Sequence, residues 1–167
     1  MACGLPYANA AQIAYPERQV ICFIGDGGFS MLMCEFITAV KHKLPIKVCI
    51  IKNDVLGQIK WEQMVFLGNP EYGVQLQPID YVMFAKACGA EAFALKDPKL
   101  AGDTVERWLA APGPAILEST VDSLEAPMPA KIKPEQAVHF AESLARGEDD
   151  ALKIAKTIFK DKVRELI

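Results

Sequence analysis

Residues 21–30 read ICFIGDGGFS: an apolar run, a bend made of Gly25-Asp26-Gly27-Gly28, and apolar residues resuming at Phe29. Strand, glycine bend and helix in immediate succession bring the backbone close to a phosphate, and the helix start behind them offers free N–H donors and a positive dipole end. Asp26 sits at the bend itself, where it would repel a phosphate. Its presence makes sense if a divalent cation lies between the carboxylate and a diphosphate. Asn53 follows the next apolar run, Ile46–Ile51 (IKVCII), where a parallel neighbouring strand would carry its side-chain oxygen to the same cation. Asp26 and Asn53 together read as a Mg²⁺-diphosphate clamp.

Working outward, Leu5–Ala14 is a helix of small residues suited to close packing on a sheet, closed by Pro16. Gln19–Ile24 reads as a buried strand. Phe29–Lys43 reads as one helix, with Phe29, Leu32, Met33, Phe36, Ile37 and Val40 on its apolar face. Ile46–Ile51 is a continuous apolar run, as in a strand covered on both faces. Asp54–Phe66 mixes turn and helix around Gly57, and Leu67–Pro78 is a loop long enough for a mobile active-site segment. Helix at Ile79–Cys88, strand at Glu91–Leu95, helix at Asp97–Ala110 with Asp97 as N-cap, and strand at Pro114–Val121 complete the alternation. The pattern predicts an α/β fold: a doubly wound, mostly parallel sheet with helices on both faces, binding ligands at the carboxyl ends of its strands. It occupies residues 1–122. Residues 123–167 read as an extended, proline-interrupted connector and two helices, Pro134–Arg146 and Asp149–Ile167.

With 167 residues, half of them hydrophobic, the chain can bury a substantial core. A net charge of −3 gives no reason to expect nucleic acid as a partner. Five cysteines lie scattered without a C-x-x-C pair, which suits buried thiols in a reducing, cytoplasmic compartment and argues against zinc. His42 and His139 are isolated and read as surface residues, and Met31 and Met33 as core. No G-x-G-x-x-G occurs, so a dinucleotide fingerprint is absent.

GDGGFSML (25–32), the 25 residues from Gly28 to Lys52 and then Asn53 resemble the thiamine-diphosphate signature of the 2-oxo acid decarboxylase and oxidase superfamily. The likeness extends to GLPYA (4–8), VLGQIKWEQ (55–63) and AKACGAEAF (85–93). It is strongest to pyruvate oxidase and quinone-dependent pyruvate dehydrogenase, including IKPEQA (132–137). The resemblance implies thiamine diphosphate and Mg²⁺ as cofactors, with FAD in the full-length enzyme, and pyruvate as the 2-oxo acid to be decarboxylated and oxidised. It implies three cation ligands: the Asp26 carboxylate, the Asn53 side chain and the Val55 backbone carbonyl. Two phosphate oxygens and one water would complete an octahedron. Gly25 forms the bend, and the N–H groups of Gly27, Gly28, Leu56 and Gly57 would take the diphosphate. Met1 would supply a carbonyl to the aminopyrimidine, Ile59 the apolar wedge beside the thiazolium, and Glu62 an acidic group beside the substrate. Gln58 stands where pyruvate oxidases usually carry Phe.

The resemblance covers only the C-terminal third of such an enzyme. The N-terminal pyrimidine-binding domain, with the glutamate that protonates the cofactor ring, and the central FAD domain would precede Met1. Met1 would then be an internal methionine or the start of a truncated reading frame. The missing domains or a second subunit of a homo-oligomer are expected partners, and the isolated chain is expected to bind weakly and turn nothing over. Acetolactate synthase, which shares the clamp, is the enzymatic alternative, and a non-catalytic cofactor-binding or structural remnant is the other. In Ala151–Ile167 an apolar stripe (Ala151, Ala155, Ile158, Phe159, Val163, Leu166) lies among five basic and two acidic residues. Such a helix can rest on an anionic lipid surface at the inner face of the cell membrane. The alternative is docking of this stripe on the protein's own surface or on a missing domain.

Overall fold

A computed structural model of the protein describes residues 1–125 and 133–165, with side chains up to 158. Two compact units emerge, one of Met1–Asp54 with Gln77–Val121, the other of Val55–Leu76 with Asp122–Ile167. Val55–Leu76 groups with the C-terminal segment rather than with the sheet.

The first unit is built on four parallel strands, β1 (Ile21–Gly25), β2 (Lys47–Lys52), β3 (Glu91–Leu95) and β4 (Ala115–Thr120), in the order β1-β2-β4-β3. This is the predicted α/β architecture. Helices α1 (Gly4–Ala14), α2 (Asp26–Ser30), α3 (Glu35–Lys41) and α5 (Tyr81–Ala87) belong to one face. There Leu5, Ala8, Phe29, Phe36, Ala39, Tyr81 and Ala85 pack with Cys22, Val48, Ile50 and Ile116. On the other face Trp108 of α6 (Ala101–Ala110) packs with Cys49, Ala115 and Leu117. The chain moves from β1 to β2 in one direction and from β3 to β4 in the other, so connections of the same hand fall on opposite faces. The β1 and β2 tips are in register, Gly25 beside Ile51, which delivers Asp26 and Asn53 to one end of the sheet.

Central β2 is covered on both sides, as its apolar run requires, but β1 is an edge strand rather than a buried one. Cys22 and Ile24 face α1, so closely that a Cβ on Gly4 would lie 3.3 Å from Cys22 Sγ, while Phe23 is 70 % exposed on the opposite face. Period two tells which residues share a face, not whether a layer covers that face. The predicted helix Phe29–Lys43 is interrupted by turns over 31–34, which turns Met31 and Ile37 to solvent while Phe29 and Phe36 stay buried. Asp97 caps a short 3₁₀ turn, Pro98–Leu100, with its carboxylate accepting from the Lys99 N–H at 3.0 Å. Cys3 and Cys34 are exposed, contrary to the expectation that the thiols are core. Burial raises the thiol pKa of Cys22 and Cys49 and keeps them inert.

In the second unit, α4 (Gly57–Leu67) packs with α7 (Pro134–Ala145) and α8 (Ala151–Glu165). Trp61, Met64 and Ile154 are buried, with Leu124, Phe140, Leu144 and Ile158 against them. Gly68 ends α4 in the left-handed conformation, φ +64°, where a Cβ would come within 2.9 Å of Glu142 Oε2. Of the stripe proposed to meet lipid, Ile158 is already packed inside this unit, and Ile154, one turn before it, is fully buried. The side chains of Phe159 and Val163, and the whole of Leu166, lie outside the described residues. So do residues 126–132 of the predicted connector.

Candidate metal and diphosphate site

Asp26 opens α2 at the tip of β1 and is 3 % exposed. Its Oδ1 accepts the Gly27 N–H at 2.9 Å, and its Oδ2 accepts those of Asn53 at 3.2 Å and Asp54 at 2.7 Å. The carboxylate is therefore wired to the chain leaving β2. Asp54 is held there at φ +58°, a left-handed conformation that Asp tolerates better than most residues. Three N–H groups use three of roughly four lone-pair directions, leaving one on Oδ1. Among the described residues no Lys, Arg or His forms an ion pair with Asp26. A buried carboxylate with a spare lone pair and no cationic side chain fits a divalent cation. Nor, among the described residues, do three His, Cys, Asp or Glu side chains converge as a metal set. A cation here would need amide, carbonyl, phosphate and water oxygens, a hard donor set suited to Mg²⁺.

Tyr81 and Glu118 brace this corner from behind. The Tyr81 hydroxyl donates to the Asp26 carbonyl at 3.2 Å, and its backbone N–H donates to Glu118 Oε2 at 2.9 Å. Lys52 Nζ lies 4.0 Å from Glu118 Oε1 and 3.8 Å from Asp54 Oδ1. Sequence reading missed all three residues. A signal existed, because Glu118 is a carboxylate inside the apolar strand PAILESTV, and a buried charge in a strand needs a partner. Burial, and then the carboxylates of Asp26, Asp54 and Glu118, push the Tyr81 phenol up to about 12. With its folded value above the unfolded one, Tyr81 contributes stability that is intact below about pH 10 and is lost as pH rises through about 12. Tyr81→Phe is expected to flatten that alkaline loss and to cost about 1 kcal/mol at pH 7, read by denaturant unfolding at pH 7 and across pH 9–11.

The remaining predicted residues fall as follows. Gly25, Gly27 and Gly28 form the bend, and a Cβ on Gly25 would meet nothing within 4 Å, so the bend is open on that side. The Met1 carbonyl accepts the Cys3 N–H at 3.0 Å and keeps its second lone pair. Val55, Leu56 and Gly57 belong to the second unit, where Val55 bridges Gln75 in antiparallel fashion. There the Leu56 N–H is engaged by the Val74 carbonyl at 2.8 Å and the Gly57 N–H by the Val55 carbonyl at 2.9 Å. Both donors expected for the diphosphate thus already have partners, that of Leu56 in the following loop and that of Gly57 within the turn itself. Ile59 and Glu62 are exposed on α4, and Glu62 Oε1 accepts from Gln58 Nε2 at 3.1 Å.

The profile of the thiamine pyrophosphate enzymes' C-terminal TPP-binding domain matches residues 1–119. The chain belongs to that family. Thiamine pyrophosphate is thiamine diphosphate, so the cofactor expectation holds at the level of this TPP-binding domain. The "Putative thiamine pyrophosphate-containing protein YdaP" of Bacillus subtilis is 38 % identical over 166 residues, 99 % of this chain and 29 % of its own length. The mitochondrial acetolactate synthase catalytic subunit of Saccharomyces cerevisiae is 32 % identical over 123 residues, 73 % of this chain and 18 % of its own. The thiamine diphosphate-dependent 4-hydroxybenzoylformate decarboxylase of Rhodococcus jostii RHA1 superposes with a TM-score of 0.68 at 28 % identity, covering 73 % of this chain and 23 % of its own. This TPP-binding domain therefore spans under a third of the relatives it matches. Among its described residues, no helix is long and apolar enough to cross a membrane.

Proposed function

We propose that the domain holds thiamine diphosphate through Mg²⁺ for an enzyme that decarboxylates a 2-oxo acid, pyruvate, and oxidises the product with FAD in the manner of pyruvate oxidase or quinone-dependent pyruvate dehydrogenase. The observation that carries the cofactor part is the buried Asp26 carboxylate, fixed by three N–H groups and lacking a cationic side chain among the described residues. The Asp26 carboxylate, the Asn53 side chain and the Val55 carbonyl would hold the cation, with the Gly25–Gly28 bend facing the diphosphate. Leu56 and Gly57 would join it only by exchanging their present N–H partners. Bound thiamine diphosphate supplies the electron sink for loss of CO₂. The chain's task is to fix its orientation, with the Met1 carbonyl and Ile59 at the rings and Glu62 beside the substrate. Partner domains or a second subunit would supply the remainder of the pocket.

Acetolactate synthase is the second reading, favoured by the names of several relatives, the yeast subunit among them. The yeast synthase match covers 123 residues and the Bacillus subtilis match 166, and the latter's name states no reaction. Product analysis of the intact enzyme fed pyruvate separates them, acetate and CO₂ being expected and acetolactate contradicting. Glu62→Gln is expected to lower kcat by about tenfold with thiamine diphosphate affinity within about twofold, an effect typical of a lost acid–base group. Unchanged turnover would remove Glu62 from the chemistry.

A further inference from the structure

Lys60 is buried on α4, its side chain 3 % exposed, with two carboxylates around it. Glu71 Oε2 lies 2.7 Å from Lys60 Nζ, and Glu148 Oε1, on a side chain 1 % exposed, lies 3.7 Å away. Glu148 Oε2 also accepts the Glu71 backbone N–H at 2.9 Å. Three segments remote in sequence thus meet at one point: α4, the loop after it, and the turn between α7 and α8. Gathering three charges with a net −1, of which Lys60 and Glu148 are buried and Glu71 is partly so, is costly, and a hydrophobic trio of the same volume would serve stability as well. The directional contacts of such a cluster can fix register between segments.

The segment it fixes is specific. Glu71 Oε1 accepts from Gln75 Nε2 at 2.7 Å, Gln75 bridges Val55, and Val74 accepts the Leu56 N–H. Arg146 adds a second tie from the same side, donating to the Gly68 carbonyl at 3.0 Å. We propose that Glu148 is a positioning residue that, through Lys60 and Glu71, sets the loop 71–75 and with it the Val55–Gly57 turn. The family profile stops at residue 119, so this control comes from a part of the chain outside the matched domain. The consequence for affinity rests on the cofactor reading above, in which Val55 supplies a cation ligand.

In the intact enzyme, Glu148→Ala is expected to raise the thiamine diphosphate concentration for half-activation at fixed Mg²⁺ about tenfold, with kcat at saturation within about twofold. Glu148→Gln keeps the acceptor for the Glu71 N–H and is expected to stay within about threefold of wild type. Amide hydrogen exchange should quicken at 71–76 and 55–57 in the alanine variant. Should that variant not fold, Glu71→Gln carries the test with an expected rise of about threefold. Wild-type enzyme that shows no Mg²⁺-dependent thiamine diphosphate binding would sink the cofactor reading. Wild-type binding with unaltered affinity in Glu148→Ala, or in Glu71→Gln where that variant does not fold, or faster exchange confined to α7 and α8, would overturn the positioning role of Glu148.

Discussion

Asp26→Asn in the intact enzyme is expected to weaken Mg²⁺-dependent binding of thiamine diphosphate by about 100-fold or more, while costing only about 1–2 kcal/mol of folding stability. The two effects separate because Asp26 has two tasks. Its oxygens accept the N–H groups of Gly27, Asn53 and Asp54, and an amide oxygen can still take the pair that Oδ2 now serves. The negative charge is what a divalent ion needs, and asparagine removes it. Asp26→Ala is a blunter change. It leaves three inward-facing N–H groups without an acceptor, at about 1–3 kcal/mol each, and would let the left-handed Asp54 turn relax. Calorimetric titration with and without Mg²⁺, beside thermal unfolding of the same samples, reads both quantities. An asparagine variant that binds with wild-type affinity would leave the carboxylate as a purely structural brace.

Lys47→Met is expected to cost about 3–5 kcal/mol of folding stability. Lys47 starts β2 at the amino end of the sheet, away from Asp26, and is 2 % exposed. Its Nζ donates to the carbonyls of Gly113 at 2.6 Å, Ala111 at 2.7 Å and Pro45 at 3.3 Å, so one ammonium closes both the loop into β2 and the turn between α6 and β4. Methionine matches its length but strands three carbonyls. Burial lowers the Lys47 pKa, with Glu91 partly opposing. The folded value lies below the unfolded one, so the charged ammonium carries a cost below the folded pKa. That cost is relieved as pH rises towards about 10.5. Wild-type stability should gain over that window from this group, and the methionine variant should lack the gain. Urea unfolding followed by Trp108, which packs beside Ala111, measures both; a loss under about 1 kcal/mol would show the three contacts to be weak.

The strands were legible because apolar runs bounded by Gly and Pro specify them almost alone: Glu91–Leu95 coincides with β3, and Ile46–Ile51 with β2 to within a residue. Edge position was not legible. Phe23 and Cys22 look alike in sequence, and only the neighbouring layer makes one exposed and the other buried. The break between α2 and α3 escaped for a related reason. Met31 and Leu32 sustain an apolar spacing through turns, and periodicity does not report hydrogen bonding. At the candidate site, the meeting of Asp26 with Asn53 at one end of the sheet was readable from a charged residue in a glycine bend and an amide at the next strand's tip. Tyr81 and Glu118 act through backbone groups of residues 37 to 55 positions away, and no local pattern encodes such partners. The Lys60 cluster was hidden likewise, since Lys60, Glu71 and Glu148 each look like solvated charges until folding brings them together.

Anomalous diffraction from crystals of the intact enzyme grown with thiamine diphosphate and Mn²⁺ in place of Mg²⁺ tests the central claim most directly. The account predicts one strong peak about 2.1–2.3 Å from an Asp26 carboxylate oxygen and the Asn53 side-chain oxygen, with diphosphate oxygens completing the shell. A peak elsewhere, with Asp26 bonded only to its three backbone N–H groups, would contradict it.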